Sequence, residues 1–368
     1  MTDVLEGPVL VFRQGSLGRI KLNRPKALNS LNLEMVGIIA RALDRFEQDG
    51  EVAAVLLDGS GERGLCAGGD IREMYDAVRK GSSEAAHFLR EEYQLNSRIA
   101  NFTKPYIAIM DGLVMGGGIG VSVHGRHRIV TERSKLAMPE VGIGFVPDVG
   151  GTWYLAKAPG ELGTYLALTG DTFAAGDAIQ LGFADRMISS ERLEEIVEAL
   201  GSIESEGQVE GVLERFEEPA NGFVLPTFRD EIDAAFAHDE VEAIMAALGK
   251  SATPFAGETR SLIATKSPTS LKLALRLVRL AREAQTVEQC LLNEYRAAAH
   301  CIEKPDFCEG VRAAVIDKDR NPRWNPPELE DVLPQDIDSY FKPLDVEPRF
   351  RLAQVQTDTA QERSTSSF

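Results

Sequence analysis

Two carboxylates stand in an otherwise apolar loop that is rich in glycine and proline. They are Glu140 and Asp148, and the loop between them reads Val-Gly-Ile-Gly-Phe-Val-Pro. Burial raises the pKa of a carboxyl group and so makes it useful as a general acid or base near neutral pH. The structural alternative is that Asp148 caps the helix that begins after Gly151 and that Glu140 forms an ion pair. The loop by itself does not decide between these two interpretations.

Two glycine-rich turns each follow an apolar run and precede a helical stretch. The first is Cys66-Ala-Gly-Gly-Asp70, and the second is Met115-Gly-Gly-Gly-Ile-Gly120. Such turns free backbone N–H groups and let another molecule approach the main chain closely. If both turns face one cleft, two N–H groups can stabilise the oxyanion that forms when a carbonyl group is attacked. For either turn alone, a tight turn with a helix–sheet contact is the simpler interpretation.

Two other kinds of site do not fit these residues. The register G-x-G-x-x-G of a dinucleotide site is not met from Gly116, and no acidic residue ends a second strand about 20 residues later. His300 lies near two cysteines but lacks a fourth ligand, so we expect no metal ion. The four cysteines are also spaced too irregularly for a disulfide framework: Cys66, Cys290, Cys301 and Cys308.

Alternating strands and helices must position these groups. Apolar runs predict strands at 9–12, 19–22, 52–57, 106–110 and 128–131. Helical spacing and glycine stops predict helices at 31–46, 84–102, 119–124, 162–169 and 174–181. This alternation indicates an α/β fold with a largely buried sheet.

The character of the chain changes near residue 190. Strand signals disappear, and long charged amphipathic segments predict helices at 192–200, 241–248, 270–284 and 287–299. We therefore divide the chain into a core at 1–190, a mainly helical region at 191–345 and a polar, flexible tail at 346–368.

Composition excludes several classes of partner. The chain has 368 residues and a formal net charge of −17, which argues against a general nucleic-acid binder. The first residues lack the features of a signal peptide. The least polar stretch, 105–125, contains Asp111 and several glycines and so does not fit a membrane span. We expect a cytoplasmic protein that binds neither nucleic acid nor membrane.

Four motifs, in this order and at these spacings, resemble the enoyl-CoA hydratase/isomerase (crotonase) superfamily. They are Ile20-Lys-Leu-Asn-Arg-Pro-Lys-Ala-Leu-Asn-Ser-Leu31, Cys66-Ala-Gly-Gly-Asp-Ile71, Met115-Gly-Gly-Gly118 and Met138-Pro-Glu140. The resemblance covers roughly residues 8–190. It implies a crotonase-like spiral of ββα turns followed by the helical region, with acyl-CoA bound between the two glycine turns.

A finer resemblance is to the branch of this superfamily that hydrolyses 3-hydroxyisobutyryl-CoA. The reaction yields 3-hydroxyisobutyrate and CoA, a step of valine breakdown. The motifs that carry it extend to about residue 330: Arg90-Glu-Glu-Tyr93, Ser122-Val-His-Gly125, Phe145-Val-Pro-Asp-Val-Gly-Gly151, Ser267-Pro-Thr-Ser-Leu-Lys272 and Glu309-Gly-Val-Arg-Ala-Ala-Val-Ile-Asp-Lys-Asp319.

The resemblance implies a role for each site residue. The N–H groups of Gly69 and Gly117 would form the oxyanion hole, where each donor is worth ~3 kcal/mol. Glu140 would activate a water molecule or attack the carbonyl carbon itself. Asp148 would orient the 3-hydroxyl group or assist departure of the thiolate, and Glu92 would complete the acyl pocket. The remaining predicted contacts to the substrate are Lys26, Ala27, Leu28, Ala67, Gly68 and Asp70.

One departure from the superfamily pattern is informative. Its hydratases carry a second catalytic glutamate just after the triple glycine, where this chain has Gly120. A hydratase needs two carboxylates to hold and split one water molecule, so hydration is the weaker interpretation. Two alternatives remain: an enoyl-CoA hydratase or isomerase, and a catalytically silent acyl-CoA-binding protein. We expect no cofactor, since coenzyme A is part of the substrate, and a homo-oligomer is compatible with the resemblance.

Overall fold

Ten short strands form two sheets in the computed structural model, which describes residues 7–350. The first sheet has six strands in the order β1-β2-β3-β5-β7-β10, and the second has four in the order β4-β6-β8-β9. The predicted α/β class is confirmed. The strands are β1 (Val9–Gln14), β2 (Leu17–Leu22), β3 (Ala54–Gly59), β4 (Gly64–Cys66), β5 (Tyr106–Met110), β6 (Leu113–Met115), β7 (His127–Val130), β8 (Lys135–Ala137), β9 (Phe173–Ala174) and β10 (Arg186–Met187).

Sixteen α-helices surround the sheets in the described part of the chain. They are α1 (Leu33–Gln48), α2 (Ile71–Arg79), α3 (Glu84–Ala100), α4 (Gly117–Gly120), α5 (Gly151–Lys157), α6 (Leu162–Thr169), α7 (Ala175–Gln180), α8 (Leu193–Gly201), α9 (Val209–Glu214), α10 (Arg229–Phe236), α11 (Val241–Lys250), α12 (Pro254–Ile263), α13 (Pro268–Glu283), α14 (Val287–Ile302), α15 (Pro305–Val311) and α16 (Pro334–Ser339).

The first sheet is buried on both faces, as a continuous apolar run predicts. It is parallel apart from the hairpin of β1 and β2. In β3, Val55 and Leu57 join the main hydrophobic core, whereas Ala54 and Leu56 face a second cluster that includes side chains of α8 and α9. Alternate residues of one strand therefore hold two layers of helices against the sheet.

The chain winds as a spiral because successive strands enter different sheets. β3 lies in the first sheet and β4 in the second, and β5 and β6, then β7 and β8, repeat this step. Within the second sheet, β4, β6 and β8 are parallel neighbours. The carboxyl ends of these three strands therefore lie at one edge, and the segments that follow them are the two glycine turns and the Glu140 loop.

Most predicted elements are confirmed, and the differences are local. The helix predicted at 119–124 instead begins at Gly117 and ends at Gly120, and the strands of the second sheet were not predicted. Most of the predicted tail at 346–368 lies outside the described residues. In the described segment, no helix is long and apolar enough to cross a bilayer.

The helices after residue 190 pack directly on the first part of the chain. α14 lies against α3, α13 against α5, and α15 against both α2 and the turn Glu140–Ile143. At this last contact, a Cβ atom on Gly310 would lie 2.5 Å from the Cα atom of Ile143. Contacts thus run continuously across residue 190, and the division into three domains stays a prediction.

Gly310→Ala tests this backbone contact. We expect the substitution to lower the free energy of unfolding by about 1–3 kcal/mol, because an added methyl group in a closed contact forces atoms apart. Urea denaturation is the measurement. Gly257→Ala in α12 is the matched control: nothing lies within 4 Å of its Cβ position, so helix propensity alone should stabilise it by up to about 1 kcal/mol. Equal effects of the two substitutions would contradict the contact.

Candidate active site

The three segments at the carboxyl edge of the second sheet enclose one cavity of about 640 Å³. Of the predicted site residues, Lys26 alone does not line it, and this residue is exposed. Arg24 and Arg72 line the cavity instead. The other predicted residues come together there: Ala27, Leu28, Ala67, Gly68, Gly69, Asp70, Glu92, Gly117, Glu140 and Asp148.

The two glycine turns approach each other so closely that side chains are excluded. A Cβ atom on Gly117 would lie 3.2 Å from the amide nitrogen of Gly69, and one on Gly118 would lie 2.9 Å from the Cβ atom of Cys66. Within residues 7–350, the amides of Gly69 and Gly117 donate no hydrogen bond. Two glycines that line the cavity therefore carry unused N–H groups, an arrangement that can bind a carbonyl oxygen and stabilise an oxyanion.

Glu140 begins a 3-10 turn, Glu140–Ile143, directly beyond β8. Its Oε1 atom would lie 2.7 Å from a Cβ atom on Gly116, and its Oε2 atom has no hydrogen-bond partner among the described residues. Nor does it form an ion pair with any of them, so the structural alternative for Glu140 is wrong. Burial, together with the charge of Asp148, raises the pKa of Glu140 well above its ordinary value. This unpaired carboxyl group can act as a base or a nucleophile.

Asp148 does not cap the helix that follows it. The carboxylate of Glu294 accepts hydrogen bonds at the start of α5 instead, so the structural alternative for Asp148 is also wrong. The Oδ2 atom of Asp148 accepts a 2.6 Å hydrogen bond from the hydroxyl group of Tyr93. Burial raises the pKa of Asp148 to about 8, although the Tyr93 hydrogen bond opposes this shift.

Glu92 reaches the cavity from α3 and is almost completely buried. A Cβ atom on Gly117 would collide with its Oε1 atom, which has no hydrogen-bond partner in the described part of the chain. The pKa of Glu92 is raised well above its ordinary value, mainly by burial and to a smaller extent by the charge of Asp148. Three carboxyl groups thus share one buried pocket, where burial and, to a smaller extent, mutual repulsion favour their protonated forms.

A family model described as enoyl-CoA hydratase/isomerase matches residues 17–341. The chain belongs to the enoyl-CoA hydratase/isomerase family. This confirms the resemblance that its motifs indicate.

Two named relatives of this chain are mitochondrial 3-hydroxyisobutyryl-CoA hydrolases. It is 42% identical to a mitochondrial 3-hydroxyisobutyryl-CoA hydrolase of Rattus norvegicus, with 91% of this chain and 89% of that protein covered. The Homo sapiens protein of the same name is 39% identical, with 93% and 90% covered.

Solved structures of the family carry other names. A carnitinyl-CoA dehydratase from Mycobacterium thermoresistibile superposes with a TM-score of 0.90 at 44% identity, covering 94% of this chain and 99% of that one. An enoyl-CoA hydratase from Rhodobacter sphaeroides has a TM-score of 0.86 at 41% identity, covering 92% and 98%. The crotonase-like fold is therefore confirmed, while the names differ on the reaction.

The enoyl-CoA hydratase/isomerase fold leaves no room here for a glutamate at Gly120. A Cβ atom at that position would lie 2.7 Å from the Cβ atom of Val149 and 2.8 Å from the side-chain Nδ2 atom of Asn96. The second glutamate that the superfamily's hydratases carry at this position cannot be placed without moving both neighbours. The carboxyl groups of this site come instead from α3 and from the loop before α5.

Sequence reasoning missed several residues of the site. Tyr93, Phe307 and Glu294 were assigned no role, although Tyr93 lies within a motif quoted for the resemblance. A polar side chain on the apolar face of a helix is the signal that could have found Tyr93 and Glu294, whereas Phe307 carries no such signal. On α3 Tyr93 follows the buried Leu89 by four positions, and on α14 Glu294 lies among buried apolar residues.

Glu92→Gln tests whether the pocket raises the pKa of Glu92. A carboxyl group whose pKa is raised by folding binds more protons in the folded than in the unfolded state, so its contribution to stability is lost as the pH rises above about 4.5. Glutamine does not ionise and so avoids that loss, and we expect a higher Tm at pH 8 but little change at pH 5. The gain should be roughly 1–2 °C for each kcal/mol recovered in a chain of 368 residues.

Glu91→Gln is the control for that measurement, because it makes the same chemical change on the neighbouring, partly exposed residue. Thermal unfolding at the two pH values compares them. If Glu92→Gln changes Tm equally at pH 5 and pH 8, Glu92 is not held protonated by the pocket.

Proposed function

We propose that the chain hydrolyses 3-hydroxyisobutyryl-CoA to 3-hydroxyisobutyrate and CoA. The observation that carries this proposal is the convergence, on one cavity, of two unused backbone amides with the unpaired carboxyl group of Glu140. Relatives named for this hydrolysis, 39% and 42% identical over about nine tenths of the chain, support the choice of substrate.

The thioester carbonyl oxygen would lie between the amides of Gly69 and Gly117. There the two N–H groups polarise the carbonyl bond and stabilise the negative charge that develops on the oxygen. Because the glycine turns are rigidly held by mutual contact, these donors do not have to reorganise during the reaction. A donor lost from such a site typically costs about 3 kcal/mol of transition-state stabilisation.

Glu140 would supply the electron pair that starts the reaction. As a base, it takes a proton from water while the water oxygen bonds to the carbonyl carbon. The tetrahedral intermediate then expels the CoA thiolate, which takes up the proton. As a nucleophile, Glu140 forms an anhydride with release of the thiolate, and water then hydrolyses the anhydride. Both routes consume one water molecule and need Glu140 ionised at the first step.

The acyl group would lie at the end of the cavity formed by Glu92 and Asp148, where Tyr93 donates a hydrogen bond to Asp148 from behind the cavity wall. A substrate hydroxyl group can donate to an oxygen of the Asp148 carboxyl group and accept from a protonated Glu92. The adjoining walls are apolar and include Phe88, Phe145 and Phe307. A pocket with three carboxyl groups repels an acyl chain that carries its own carboxylate, so a small hydroxyacyl group suits it better.

The CoA moiety is anionic, whereas the chain carries a net charge of −17. Arg24 and Arg72 at the cavity offset that field locally. Of these, Arg24 is also paired with Asp70 at 2.9 Å. We propose these two arginines, rather than Lys26, as the nearest cations to the bound substrate. The absence of other cofactors, a homo-oligomer and a cytoplasmic location stay predictions.

Hydration or dehydration of an acyl-CoA is the second candidate. Structures named carnitinyl-CoA dehydratase and enoyl-CoA hydratase are 44% and 41% identical to this chain, and the pocket does contain more than one carboxyl group. The closed position at Gly120 weighs against it, because the paired glutamates that would hold one water molecule across a double bond are not both present.

Release of CoA thiol from (S)-3-hydroxyisobutyryl-CoA is the direct test. We expect rapid release by the unaltered protein and little loss of the enone absorbance of crotonyl-CoA in parallel. Glu140→Gln should lower kcat by about 10²- to 10⁴-fold, the range of a lost general base. Glu91→Gln should leave kcat unchanged. Conversion of crotonyl-CoA without thiol release would replace this proposal with hydration.

The pH dependence of kcat/KM is a second test. Because burial raises the pKa of Glu140, its ionised form is lost as the pH falls through a value above the ordinary carboxyl range. We expect kcat/KM to decline about tenfold per pH unit on an acid limb that lies well above pH 4.5. A constant kcat/KM down to pH 5, with the protein still folded, would contradict the role of Glu140.

A further inference from the structure

The turn that carries Asp148 has a backbone conformation that its residues disfavour. Val149 has φ 54°, in the left-handed region that β-branched residues rarely adopt, and Gly150 follows with φ 78°. Such a backbone persists only where its surroundings hold it in place. Contacts from other parts of the chain must therefore hold this turn.

Glu294 makes most of those contacts. It lies on α14, far along the chain, and is completely buried. Its Oε2 atom accepts a 2.6 Å hydrogen bond from the amide of Gly150, and its Oε1 atom accepts a 3.0 Å bond from the amide of Thr152 and another from the Thr152 hydroxyl group. Both oxygens of one carboxylate are thus engaged immediately beyond Asp148.

His124 holds the turn from the opposite side. Its Nε2 atom lies 2.8 Å from the carbonyl oxygen of Val149. Burial lowers the pKa of His124 to about 4, so the ring is neutral, and the proton lies on Nε2 because a carbonyl oxygen can only accept. Val149 is therefore held by a hydrogen bond to its own carbonyl group and by the hydrogen bond that the amide of Gly150 donates.

We propose that Glu294 is a positioning residue: its carboxylate holds the turn at Val149 and Gly150 so that Asp148 stays aligned with the Tyr93 hydroxyl group and the cavity. This inference rests on the proposed function, in which Asp148 binds the acyl hydroxyl group. Glu294 itself does not line the cavity, so it acts through Asp148 rather than on the substrate.

The charge of Glu294 adds an effect that a merely structural contact lacks. It raises the pKa of Asp148 and contributes to the raised pKa values of Glu140 and Tyr93. Burial raises the pKa of Glu294 itself to about 7, so this effect is strongest above that pH. The titratable groups around this pair come from several elements, and a change in pH profile must be interpreted with all of them: Glu92 and Tyr93 on α3, Glu140 after β8, and Cys290 and Cys301 on α14.

Glu294→Gln and Glu288→Gln form a matched pair for the test. Glu288 is buried on the same helix and accepts hydrogen bonds from Ser97 and Asn101, away from the turn. We expect Glu294→Gln to lower kcat for thiol release roughly 10- to 100-fold, the cost of a small misplacement. KM should stay within about threefold, as expected where ground-state binding is kept, and the acid limb should move to lower pH. Glu288→Gln should leave the acid limb unmoved.

A readout without substrate separates this inference from the proposed function. The side-chain carboxyl carbon of Asp148, identified in ¹³C-aspartate-labelled protein by its absence in Asp148→Asn, reports the ionisation of Asp148 directly. We expect its titration midpoint to fall in Glu294→Gln and not in Glu288→Gln. Failure of the unaltered protein to release thiol would overturn the hydrolase, whereas an unmoved Asp148 midpoint would overturn the role of Glu294.

Thr152→Val supports the same test if Glu294→Gln does not fold. It removes one donor to the Glu294 carboxylate and nearly keeps the side-chain volume. Without that donor the ionised form of Glu294 is less stable, so Glu294 protonates more readily. The Asp148 midpoint should therefore move in the same direction as in Glu294→Gln, but less far. An unchanged midpoint and kcat in Thr152→Val would contradict the inference.

Discussion

The parallel pairing of three three-residue strands, β4, β6 and β8, is the constraint on which the site depends. Parallel strands bring their carboxyl ends to one edge, so the two glycine turns and the Glu140 loop must meet there. Strands this short form few hydrogen bonds with one another. The close backbone contact between the turns at Gly68, Gly117 and Gly118 also holds the segments together. The same contact leaves two amides without protein acceptors, so what holds the turns together also prepares them for an oxyanion.

Burial of three carboxyl groups in one pocket works against stability. Glu92, Glu140 and Asp148 have no cation partner among the described residues, and the Tyr93 hydroxyl group donates to only one of them. Because their pKa values are raised, the folded protein disfavours the ionised carboxylate that the proposed reaction needs. Perturbed groups of this kind cluster at functional sites because a carboxyl group with a pKa near neutrality is an effective acid or base.

The helices after residue 190 complete the site as well as covering it. α15 brings Phe307 to the cavity wall, and α14 holds the Asp148 turn through Glu294. The reacting carboxylates lie in the first half of the chain, but the strained backbone at Val149 is stabilised from the second half. A change in the C-terminal helices can therefore alter the pocket without touching the substrate.

The sequence alone determined the α/β class and most strands of the first sheet. Of the eleven site residues that its motifs indicate, ten line the cavity. The signals for the fold are local: long apolar runs, helical spacing and glycines at tight turns. Most of the site residues were instead implied by the resemblance of the motifs to the superfamily. It did not predict the second sheet, because strands of two or three residues carry no period, nor the exposure of Lys26. Whether Glu140 and Asp148 were structural or chemical was undecided by the loop, since that depends on distant partners. Tertiary structure excluded the helix cap and the ion pair by placing Glu294 at the helix start and leaving Glu140 unpaired. The sequence could not show this, because contacts between residues more than a hundred positions apart leave no pattern in local spacing.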